Sequence, residues 1–201
     1  MPVSALKAYI YLMKPTLSSF IAILASVLYL AVYFIPDMGG SDVMGAQWLY
    51  SSSLSLGIVA FIAIRYKAYE EAVQQVLSYK FTWVFSLLVF WAIGSYCYAI
   101  NPTETLVTLA RLITTYFVFL NLSILYYNQD RAFLFTGIAY AITAFLFFDA
   151  IYVIKGFSAN LSTMNLDAAI LGLNKYHGNK NVTAATLLIL FPFAIYVIMS
   201  A

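Results

Sequence analysis

Arg111 stands within a stretch, 105–127, that is otherwise free of charge. A guanidinium at that depth in hydrocarbon costs about 2.5 kcal/mol or more unless it faces a cavity or a partner. Three arrangements relieve that cost: snorkelling toward headgroups, an ion pair with Asp149 or Glu104, and contact with an anionic substrate. A second place suited to an anion is the run Asn174-Lys175-Tyr176-His177-Gly178-Asn179-Lys180-Asn181. Gly178 permits a positive φ and hence a sharp structural turn into a new helix, and Asn181 is suited to cap that helix. Free amides at a helix start, with Lys180 beside them, would hold a phosphate. The same residues also read as an ordinary loop ending in a capped helix.

His177 is the single histidine. Near neutral pH it is a candidate base for removing a hydroxyl proton, or a hydrogen-bonding loop residue. It builds no metal site by itself, and Cys97 is the single cysteine, so neither a Cys-based metal site nor a disulfide framework is expected. Asn121, inside the same stretch as Arg111, is expected to bond between helices. Pro192 is placed to bend the last helix. Asn160-Leu161-Ser162 and Asn181-Val182-Thr183 match the three-residue glycosylation pattern, which recurs by chance.

These residues must be positioned by membrane helices. Of the 201 residues, 64% are hydrophobic and 9% charged, with a mean hydropathy of +0.89. A soluble domain carries about 25% charge, so a water-soluble enzyme, a disordered regulator and a fibrous repeat are excluded. A formal charge of +2 gives no nucleic-acid surface. Crossing the ~30 Å hydrocarbon layer takes about 20 apolar residues. Such stretches occur at about 16–36, 45–64, 81–100, 105–127, 132–154 and 182–201, with an outer loop at 155–181. Barrel-type alternation is absent. The expectation is an all-α, multi-pass protein of about six transmembrane helices, forming one transmembrane domain.

Lys7, Lys14, Arg65, Lys67, Lys80 and Arg131 fall on one side of these spans, and Lys155, Lys175 and Lys180 on the other. The positive-inside rule then puts the N-terminus in the cytoplasm. The first span is too long for a cleaved signal peptide. Tyr33, Trp48, Tyr79, Trp83, Tyr126 and Tyr127 lie near span ends, as interfacial aromatic belts do. In segment 65–80, Tyr66, Tyr69, Val73, Val76 and Leu77 recur at helical spacing opposite Lys67, Glu70, Glu71 and Gln74, which predicts an amphipathic helix on the inner surface. Val3, Leu6, Ile10 and Met13 repeat that pattern before the first span. The sixth span runs to Ala201 without a basic flank, so more chain is expected to follow it.

The step Gly178-Asn179-Lys180-Asn181, then Thr183-Ala184-Ala185 and an apolar run to Pro192, resembles the bacterial O-antigen ligase and polymerase family. The stretch from Phe81 through Asn101-Pro102 to Arg111 resembles that family's span, short outer turn and following span. The resemblance covers about 81–192. It implies the N-terminal half of a GT-C-like membrane glycosyltransferase of the bacterial inner membrane, with no cofactor or metal requirement. Such proteins transfer a glycan from an undecaprenyl-pyrophosphate carrier to an acceptor hydroxyl, on a lipid A-core sugar or on another glycan. The implied partners are membrane lipids, the lipid-linked oligosaccharide donor and that acceptor, in the setting of lipopolysaccharide biosynthesis. Arg111, Lys180, Asn179 and Asn181 would then contact the pyrophosphate. Family members have about ten to twelve spans, and their large periplasmic loop, with its Arg and catalytic His, would follow the sixth span. The present chain alone is expected to be inactive.

The competing expectation is a non-enzymatic membrane component, such as a polysaccharide exporter or flippase subunit. A transporter places polar groups at mid-membrane and interrupts paired helices. Gly57, Gly94 and Gly137 instead fall singly within the spans.

Overall fold

A computed structural model describes residues 17–35, 45–161 and 180–200. Among them are seven α-helices and no strand: α1 (Leu17–Leu30), α2 (Gly45–Ile64), α3 (Tyr66–Ser78), α4 (Lys80–Ser95), α5 (Pro102–Tyr126), α6 (Arg131–Leu161) and α7 (Lys180–Ser200). Short 3-10 turns follow α1 at Ala31–Phe34 and α4 at Tyr96–Tyr98. Four stretches are long and apolar enough to cross a bilayer: Gly45–Ile64, Lys80–Tyr98, Pro102–Tyr126 and Arg131–Ala159. Two further apolar helices, Leu17–Leu30 and Leu188–Ser200, are shorter within the described residues. Large apolar side chains face outward all along the spans, among them Leu49, Leu56, Trp83, Leu87, Phe90, Trp91 and Phe147. Only a lipid solvent makes that arrangement stable. The chain is an all-α, multi-pass membrane protein.

The chain divides into two compact units, residues 1–29 with 48–130, and residues 30–47 with 131–201. In the first unit, α5 is the central helix. Lipid tails are as apolar as leucine, so helix association there relies on close approach and polar contacts. The buried face of α1 is accordingly small: Ser19, Ala22, Ala25 and Ser26, with Tyr29 at its end. Asn121 of α5, 1% exposed, donates to the Tyr29 hydroxyl at 3.1 Å and to the Ser55 carbonyl at 3.0 Å. The Tyr29 and Ser55 hydroxyls pair at 3.0 Å. The interhelical role expected of Asn121 is thus met, and it ties three helices at one point. Nearer the start of α1, Ser19 donates to Gln129 Oε1 at 2.7 Å, and Gln129 Nε2 donates to Ser18 Oγ at 2.9 Å.

The other face of α5 meets α4 through aromatic rings. Phe81 and Phe85 pack on Phe119 with centroids 5.2 and 5.6 Å apart, and Phe85 sits edge-on to Tyr116 at 5.1 Å. Ser86 spends its proton on the Thr82 carbonyl, so the Tyr116 hydroxyl donates to Ser86, at 2.6 Å.

The amphipathic segment forms α3, bounded by single-residue corners at Arg65 and Tyr79. Tyr69, Ala72 and Val76 are buried where α3 packs on α5. Tyr66 and Leu77 stay exposed, 45% and 47%. Lys80, read from the pattern as the end of this segment, instead opens α4. The Val76 carbonyl at the end of α3 accepts from the Tyr79 amide at 3.3 Å and from Thr82 Oγ1 at 2.6 Å. Tyr127 OH donates to Glu71 at 3.4 Å. Between α5 and α6, Asn128 has φ +60°. Asparagine tolerates this left-handed conformation better than most side chains.

In the second unit α6 packs on α7. Phe135 sits against Phe193 and Tyr196 with centroids 5.9 and 4.9 Å apart, and the Thr136 and Tyr196 hydroxyls pair at 3.2 Å. Leu134, Ala139 and Ile142 are its buried face on α6. Two expectations are corrected here. The segment from Lys155 is not loop at once: α6 continues to Leu161, since no proline stops it and a helix satisfies its own amides in any solvent. And α7 begins at Lys180, so Asn181 lies inside the first turn and does not cap it. A capping residue needs non-helical backbone.

Candidate functional site

Arg111 lies on α5, about 13 Å along the axis from Pro102 at ~1.5 Å per residue. It is half-buried, and its Nε is inaccessible to solvent. The guanidinium carbon stands 5.8 Å from the centroid of the Trp48 ring, at the start of α2. At that distance the ring quadrupole attracts the cation. Thr114, a turn further on, donates to the Ala110 carbonyl at 2.9 Å and accepts from Ser52 of α2 at 2.8 Å. The Trp48–Arg111, Ser52–Thr114 and Ser55–Asn121 contacts form one seam between α2 and α5, and that seam orients the arginine.

Of the carboxylates considered for Arg111, Glu104 takes part in the cap of α5. Asn101 Oδ1 accepts from the Glu104 amide at 3.3 Å, and Asn101 Nδ2 donates to Glu104 Oε2 at 3.2 Å. This is a reciprocal cap on α5, with Pro102 in the first turn. The Asn-Pro-Thr-Glu spacing carried this signal in the sequence. Asp149 is half-buried on α6, in the second unit.

Beside the cap, α4 and α5 enclose an open cleft of about 320 Å³. Ala92, Ser95, Asn101, Glu104, Thr105, Thr108, Leu109 and Leu112 line it. Nothing in the residue pattern pointed to it, because its two walls are separated by the non-helical Ala99–Asn101 corner.

The second expected cluster is only partly described. Lys180 and Asn181 occupy the first turn of α7, in the second unit. His177, Gly178 and Asn179 lie outside the described residues, as do Val3, Leu6, Ile10 and Met13. Pro192 sits within α7.

The chain was compared with protein-family models, with curated proteins and with solved structures. None of them matches.

Proposed function

We propose that this chain is the membrane-embedded part of a glycosyltransferase of the O-antigen ligase or polymerase type, acting at the periplasmic face of the bacterial inner membrane. It transfers a glycan from an undecaprenyl-pyrophosphate carrier to an acceptor hydroxyl on a lipid A-core sugar or on another glycan. The observation that carries the reading is Arg111: a guanidinium inside a membrane span, partly buried and braced on Trp48. Departure of pyrophosphate from an anomeric carbon concentrates negative charge on the leaving oxygens, and fixed cations and amides stabilise it. A planar guanidinium meets two phosphate oxygens at once, which an ammonium does not. In this reading Lys180, with Asn179 and Asn181, supplies the second group of donors. The N-terminus is cytoplasmic.

The test is Arg111→Lys in the cell that makes the protein. Transferred glycan is expected to fall at least about tenfold, a modest fraction of what one transition-state donor is worth, with membrane insertion unchanged. Undiminished transfer removes Arg111 from the site and the reading with it. The exporter or flippase reading draws on a different observation, the buried Asn121–Tyr29–Ser55 group within the spans. It requires Asn121→Leu to stop glycan movement in protein that remains folded, whereas the transferase tolerates that change.

A further inference from the structure

We propose that the cleft between α4 and α5 binds the hydroxyl-rich head of an amphiphile, the sugar portion of a membrane-borne glycan, and not its phosphate. The inference rests on the transferase reading for its biological meaning, but the cleft's chemistry stands on its own geometry. Its rim is polar, formed by Ser95, Asn101, Glu104, Thr105 and Thr108. Ser95 spends its hydroxyl proton on the Ala92 carbonyl at 2.7 Å, and Thr105 spends its own on the Asn101 carbonyl at 2.9 Å. Both oxygens therefore offer only lone pairs to a ligand. Glu104 adds a carboxylate that accepts one bond from Asn101 and has capacity for more. Hydroxyl oxygens whose own protons are already placed accept from a sugar's O–H groups, and the Glu104 carboxylate repels phosphate. At the start of α5, Asn101 already takes the Glu104 amide.

The deeper wall is apolar. Ala92, Leu109 and Leu112 line it, and Leu88, one turn down α4 and 53% exposed, continues that surface into the span. Polar rim and apolar floor match a ligand with hydroxyls at the membrane surface and a hydrocarbon tail below. Glu104 and Arg111 are seven residues apart on nearly one face of α5, about 10 Å along the axis. A sugar at the rim and a diphosphate at Arg111 fall within the reach of one amphiphile.

The test uses the full chain in lipid nanodiscs with Cys97→Ser and Thr108→Cys. The rate of alkylation of residue 108 by a water-soluble maleimide is followed, with octyl glucoside, octyl phosphate or octylammonium present below their micelle concentrations. Octyl glucoside at twice its Kd slows alkylation about threefold, and the other two do not. Ala92→Phe, which fills the floor and leaves the α5 cap untouched, abolishes the protection. Glu104→Gln keeps the cap hydrogen bonds and lets octyl phosphate protect. Absent protection, equal protection by octyl phosphate, or stronger protection by octylammonium overturns the proposal. If protection fails while Arg111→Lys still abolishes transfer, the cleft assignment falls and the transferase stands; the reverse pair of results sinks the transferase and leaves a carbohydrate-binding cleft.

Discussion

A guanidinium laid against an indole is held by the ring quadrupole and by exclusion of water, together about 0.5–2 kcal/mol. Trp48 is one contact that sets the direction of Arg111. Trp48→Leu is expected to lower glycan transfer several-fold while Trp48→Phe restores most of it, measured as glycan transferred per unit of membrane-inserted protein. Asn121 serves stability instead. Its two donated bonds, in a low-dielectric interior, are worth about 1–2 kcal/mol in total. Asn121→Ala should lower the thermal midpoint in detergent, and a midpoint identical to the parent's would show that the three-helix junction is held by packing alone. Both residues stood out in the sequence as polar groups inside apolar runs. Their partners Trp48, Tyr29 and Ser55 did not, because an interfacial Trp and scattered Ser and Tyr are ordinary in membrane helices.

At the level of helices, side-chain bonds at two of the junctions can be tested singly. The α5 start is capped by Asn101, and its loss by Asn101→Ala costs about 1 kcal/mol. The sharp corner between α3 and α4 depends on Thr82, whose hydroxyl satisfies the Val76 carbonyl across six residues. Thr82→Val keeps the shape and removes the shorter of the two bonds to the Val76 carbonyl, leaving the Tyr79 amide, at about 0.5–1.5 kcal/mol; denaturation midpoints in mixed micelles would read both losses. The helical period of 65–80 was plain from its apolar spacing, since Tyr69 and Val76 do face inward. Its amphipathic pattern did not show where the helix ends. Lys80 has the same polarity whether it closes α3 or opens α4, and only the extended backbone of Tyr79 separates the two. The continuation of α6 to Leu161 was equally hidden, because hydropathy marks where lipid ends and not where backbone bonding ends.

For the molecule as a whole, the orientation proposed from the Lys and Arg distribution has a direct check. Cysteines are introduced singly at Ser158 and at Gln74 in a Cys97→Ser background, both positions being exposed. An impermeant thiol reagent applied to intact cells should label residue 158 and not residue 74. The opposite pattern places Arg111 toward the cytoplasm, where a periplasmic glycan transfer has no use for it.

What the sequence determined alone was the solvent and the class of fold. With 9% charge, this chain cannot cover itself against water, and in lipid each backbone group must bond within its own helix. Tertiary structure decided which side of α5 meets which neighbour. That choice depends on close contacts between small and polar groups, such as Ser52 with Thr114 and Asn121 with Ser55. Apolar pattern cannot encode it, because in hydrocarbon a helix facing lipid and a helix facing protein are equally apolar.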